Sequence, residues 1–73
     1  MIMIAMVREV RPNQLVVRDR ANFQNVVVNT NDTRCFSVGD IVSILYNGVM
    51  TKSLPPQISA IRIRRLFPRR NCP

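Results

Sequence analysis

The chain has no histidine and no tryptophan, only two glycines and two cysteines, and four acidic side chains against eleven basic ones. Each scarcity closes a route. Without histidine, the commonest general base and the commonest metal ligand are gone. Cys35 and Cys72 lie far apart, form no C-x-x-C pair and cannot by themselves complete a zinc site. A single pair of thiols leaves a disulfide open and does not fix the redox compartment. Cys35 also lacks the histidine partner that activates a thiol nucleophile. Gly39 and Gly48 are too few for a phosphate-cradling loop. A carboxylate pair for acid–base work would have to come from Glu9, Asp19, Asp32 and Asp40. The three aspartates fall at turn positions, where Asp serves backbone hydrogen bonding. Glu9 stands on a strand among arginines, where an ion pair is the simpler role. The sequence therefore predicts no catalytic residue, no metal and no cofactor, and a protein that is not an enzyme.

What is abundant is aliphatic and basic. The chain is 73 residues long, one domain, with 47% hydrophobic residues, which supports a folded core. At this size folding hides only about 60% of the unfolded surface, so the core is thin. The formal net charge is +7, and ten of the eleven bases are arginine. Such a domain is drawn to polyanions, although excess charge also serves solubility. The opening "MIMIAMVREV" has no basic leader region and no cleavage site, and its apolar run ends at Arg8. It is too short to span a bilayer. A cytoplasmic protein with no membrane partner is the resulting expectation.

Valine and isoleucine are frequent, helical periodicity is nearly absent, and turn residues recur at short intervals, the pattern of a small all-β domain. A first strand runs from Ile2 to Val10, ended by "RPN" because Pro12 cannot donate to a ladder. A second covers Gln14 to Asp19, with "DRAN" as a hairpin loop, and a third runs from Phe23 to about Asn29. "TNDTRCF", Thr30 to Phe36, reads as a turn or a 3₁₀ piece rather than a helix. "SVGD" is a tight turn before a fourth strand, Ile41 to Tyr46. Asn47-Gly48 is a hairpin signal, with Val49 to Lys52 as a short return strand. A last strand spans Gln57 to about Leu66, and residues 67–73 form a basic tail that is expected to fray. The predicted core is Val7, Val10, Leu15, Val17, Val26, Val28, Phe36, Val38, Val42, Ile44, Ile58 and Ala60.

Pro55-Pro56 reads as a stiff, polyproline-like crossover that passes the barrel end and delivers the chain to a distant strand. As a proline ligand, "LPPQ" lacks the second spaced proline. Five strands with a break after the third fit a small barrel. The expected architecture is a five-stranded OB-like barrel with little helix, and an SH3-like barrel is the alternative.

"AMVREV", "LVVRD", "VVVNT", "FSVGDIVSILYNG" and "MTKSLPPQISA" together resemble YobA-like proteins, small bacterial barrel domains of unknown function. The resemblance covers about Ala5 to Ile63, and its most specific part is the T-x-S-x-P-P-Q-I-x-A series. It implies an OB-like barrel and no activity. Members of that family are often exported or lipid-anchored, and this chain departs from them in the export signal that its opening is not expected to form and in its arginine-rich tail.

Two functional expectations follow. The first is weak, sequence-tolerant binding of single-stranded nucleic acid or another polyanion. Arg18, Arg62, Arg64 and Arg65 would meet phosphates, and Phe23 and Tyr46 are the candidate stacking platforms. Arg8 and Arg20 lie near them, and Arg69 and Arg70 add charge at the end. The second is a non-catalytic interaction module acting as a homo-oligomer. Ile2, Ile4 and Met6 fall on one face of the first strand and Met1, Met3 and Ala5 on the other, and a small core cannot take both sets.

Overall fold

The computed structural model describes residues 1–31, 33 and 35–67. Five strands form where the aliphatic alternation predicts them: β1 (Ile2–Arg11), β2 (Gln14–Asp19), β3 (Gln24–Asn29), β4 (Ile41–Tyr46) and β5 (Gln57–Arg65). Among the described residues there is no helix. The strands close into a barrel in the order β1-β2-β3-β5-β4. All pairings are antiparallel except that of β3 with β5. β1, β2 and β3 follow one another through short turns, and β4 returns to lie beside β1, a Greek key.

β1 is long because it serves two neighbours. Ile2 to Met6 pair with β4, while Ala5 to Arg11 pair with β2. A bulge between Val7 and Glu9 bends it from one neighbour to the other, and the register shift at Leu45/Tyr46 does the same where β4 meets β5. Inward positions alternate along each strand: Met3, Ala5 and Val7, then Leu15 and Val17, Val26 and Val28, Val42, Ile44 and Tyr46, and Ile58. Fully burying such a side chain contributes about 1.5–3 kcal/mol.

Several expectations are corrected. Val38 is exposed because it sits in the turn before β4, where no strand fixes its side, and Val10 faces inward only at the barrel mouth, where solvent reaches it. Met3, Ala5, Val27 and Tyr46 join the core instead, with Phe36 and Ala60 packed partly buried against it. Val49 to Lys52 is not a strand. The Asn47 side chain accepts from Val49 N at 2.9 Å, and Gly48 takes φ 89°, so the turn forms without a return strand. As expected, the prolines deliver the chain to a distant strand, since β5 starts beside β3 with Gln57 opposite Val27 and only then runs back antiparallel to β4. The delivery is by a closed loop rather than an extended crossover: Gln57 N donates to Thr51 Oγ1 at 2.9 Å, and the Leu54-Pro55 bond is cis. Pro56 O then accepts from Val27 N at 2.9 Å and starts β5 beside β3. The Thr30 to Phe36 connection carries one turn, closed by Phe36 N donating to Thr33 O at 3.2 Å. The expected tail, with Arg69, Arg70 and Cys72, lies outside the described residues from 68 onward.

Candidate nucleic-acid interface

An open concave feature arises from a mismatch in strand length. β3 stays beside β5 for three registers only, the last being Asn29 opposite Ser59. β3 then ends, while β5 continues to Arg65 with β4 along its other edge. The space that a longer β3 would fill is an open groove of about 1120 Å³. The β1–β2 turn and the segment after β3 wall it, and Ser59 to Ile63 form its floor.

The lining is polar and basic. Arg11 and Arg62 stand in it, with amides from Asn13, Gln14, Asn29 and Asn31. Phe36 supplies a half-buried ring packed on the core. No carboxylate lines the groove among the described residues. The amides form a ladder across three strands: Gln14 Nε2 donates to Asn29 Oδ1 at 2.9 Å, and Asn29 Nδ2 reaches Gln57 Oε1 at 3.5 Å. Arg11 is anchored through an ion pair with Glu9 at 3.0 Å, with both side chains about half exposed. An exposed pair of this kind contributes about 0–1 kcal/mol, so phosphate competes for Arg11 at little cost. One wall is pinned by Thr33, whose buried hydroxyl donates towards Arg11 O (2.6 Å) and Pro12 O (3.2 Å).

The residues expected to bind do not form one surface. Arg62 lines the groove. Arg64, two residues on along the same outer face of β5, lies beside Ser43 of β4 and outside the groove lining. Arg65 turns the other way, is half-buried, and donates to Cys35 O at 3.0 Å, so it ties the end of β5 to the β3–β4 connection. Arg18 lies at the far end of β2 from Gln14, about 13 Å along the strand. There its guanidinium sits 5.9 Å from the centroid of Phe23, a cation–π contact, in a shallow pocket with Met6, Arg8 and Arg20. Phe23 is 72% exposed and is held at φ 53° by the hairpin loop. Asp19 shapes that loop: its carboxylate accepts from Ala21 N at 2.8 Å, and its carbonyl accepts from Phe23 N at 2.8 Å. Tyr46 is withdrawn from any stacking role. It is 6% exposed, points into the core, and its hydroxyl donates to Met1 Sδ at 3.2 Å.

The sequence reading missed Arg11 and the amides. A signal was present, since "RPNQ" and "VNTN" each carry clustered amides and the β2–β3 hairpin sets Gln14 directly opposite Asn29. Cys35 is disulfide-bonded, which the sequence left open. Comparison with family models, with curated proteins and with solved structures finds no match to this chain.

Proposed function

We propose that the protein is a non-enzymatic, sequence-tolerant binder of single-stranded nucleic acid, built on an OB-type barrel. The observation that carries this reading is the groove: two guanidiniums and four amide side chains around a half-buried ring, with no carboxylate among the described lining residues. Guanidiniums grip phosphates through paired donors. Amides offer donors and acceptors to base edges, and an aromatic face accepts a stacked base. Oligonucleotide-binding barrels use the face of their second and third strands and the loop between the first and second, and this groove shares that loop, the β1–β2 turn, with them. The net charge of +7 favours approach of any polyanion. The non-enzymatic part rests on the three described carboxylates, which are occupied: Glu9 pairs with Arg11, Asp19 holds the hairpin loop, and Asp40 accepts from Ser37 N at 2.9 Å. The similarity to YobA-like bacterial barrels is part of the same proposal. A cytoplasmic location is weighed against the bonded Cys35, because disulfides persist mainly in oxidising compartments. Fluorescence anisotropy with labelled single-stranded oligonucleotides at two salt concentrations tests the reading. Binding that weakens steeply with salt supports it, and no binding at low salt overturns it.

The second reading, a homo-oligomeric module joined through β1, draws on the outward side chains of Ile2, Ile4 and Met6. It has the weaker support, because the strip they form has arginine on both sides, and a two-fold contact would set arginine against arginine.

A further inference from the structure

The outer wall of β1 and β4 carries a second surface, which shares only Arg62 with the groove. Strand register defines it in three rows. Arg62 of β5, Leu45 of β4 and Ile2 of β1 lie side by side, followed by Arg64, Ser43 and Ile4. In the third row Ile41 and Met6 are adjacent, with Arg18 of β2 next to Met6. Leu66 N donates to Ile41 O at 2.9 Å, which extends this row with Leu66 on the β5 side. Arg20 N donates to Ile4 O at 3.1 Å and brings another arginine to the β2 side. The centre is largely apolar and open to solvent, with Ile2 63% and Ile4 39% exposed. Its two flanks are cationic. Of the described acidic side chains, Glu9 pairs with Arg11 beyond the β1 bulge and Asp40 sits in the turn before β4, while Asp19 lies beside Arg18 and Arg20 but is buried and held by the hairpin loop.

The occupant follows from shape and charge. A five-stranded barrel is narrow, so the outer wall of two neighbouring strands is a convex ridge. A ridge gives an amphipathic helix no groove to lie in. A second copy would bring like charges together on both flanks. An anionic bilayer surface matches both properties. It yields to a convex apolar crest, and it presents phosphates on either side of the inserted side chains. Arginines on the flanks can lay their stems along the apolar crest and keep their charged ends at headgroup level. We infer that the β1–β4 ridge is a peripheral contact surface for anionic lipid, with Ile2, Ile4 and Leu45 at the crest and Arg18, Arg20, Arg62 and Arg64 meeting phosphates.

The test is co-sedimentation of the full chain with vesicles of phosphatidylcholine plus phosphatidylglycerol and with vesicles of phosphatidylcholine alone. The wild-type protein is expected to pellet with the first and to stay in solution with the second. The double variant Ile2→Ser/Leu45→Ser, both at exposed positions, should lose about tenfold or more in vesicle affinity. Its oligonucleotide binding and circular dichroism should match wild type, which separates this surface from the groove and from misfolding. Wild type that ignores anionic vesicles overturns the inference. So does a double variant that pellets as well as wild type, because charge alone would then account for the binding. A wild-type dimer in the analytical ultracentrifuge that the double variant converts to monomer also overturns it, with a second copy as the occupant.

Discussion

Thr33 offers a clean test of how the groove is built, because two substitutions there are predicted to act against ordinary transfer energetics. Its side chain is 4% exposed, and its hydroxyl donates towards two carbonyls, Arg11 O and Pro12 O. These bonds fix the β3–β4 connection against the β1–β2 turn, which sets the distance between the groove walls. Thr33→Val keeps the shape and removes both bonds. The lost hydrogen bonds cost about 1.5 kcal/mol. In a domain of this size that lowers Tm by roughly 6–12 °C. Thr33→Ser keeps the hydroxyl and loses one methyl, a cost of about 0.8 kcal/mol. The predicted order of stability is therefore wild type, then Ser, then Val, read by thermal melts in circular dichroism. If the site were merely an apolar hole, Val would stabilise and Ser would be the worse variant. A Val variant at or above wild-type Tm would refute the pinning argument. Oligonucleotide affinity should follow the same order, since a released wall no longer aligns Arg11 with Arg62.

Leu15→Ala removes a fully buried side chain from the centre of β2 and should cost about 2–5 kcal/mol, seen as a lower urea midpoint with an unchanged m-value. At about 0.1 kcal/mol of net stability per residue, that is a large part of the total, so a loss under 1 kcal/mol would contradict the assigned core. Phe23→Asn should leave stability unchanged or raise it by up to about 1 kcal/mol, because Asn tolerates the positive φ that Phe23 adopts while its ring is largely exposed. A loss above 1 kcal/mol in a denaturant melt would mean that the ring and its contact with Arg18 stabilise the hairpin instead.

The strands were legible because turn chemistry bounds them tightly. β2 and β4 match the sequence expectation residue for residue, each set between an Asn- or Asp-bearing turn and a break in the aliphatic run. The alternation marked Val42 and Ile44 as inward, and Tyr46 lies two residues on along the same buried face. Tyr46 was misplaced because its hydroxyl suggests a surface position, whereas Met1 Sδ gives that hydroxyl a partner at the rim of the core. Val38 was misplaced because alternation has no meaning inside a turn. The groove was hidden for a different reason. It depends on β3 stopping at Asn29 while its parallel neighbour continues, and a parallel register joining Asn29 to Ser59 leaves no local mark on either segment. The division of the arginines was equally illegible. A shift of one residue sends Arg64 outward and Arg65 inward, and the register shift at Leu45/Tyr46 helps to set which is which.

The central claim is that the groove binds single-stranded nucleic acid through its arginines, and its most direct test is the salt dependence of anisotropy for wild type and for Arg11→Gln/Arg62→Gln. Contacts to about four phosphates give wild type a slope near −3 in log affinity against log salt. Removing two contacts should reduce the magnitude of that slope by about 1.4, with base preference unchanged. A double variant that keeps the wild-type slope and affinity would place the binding surface elsewhere on the barrel and contradict the account.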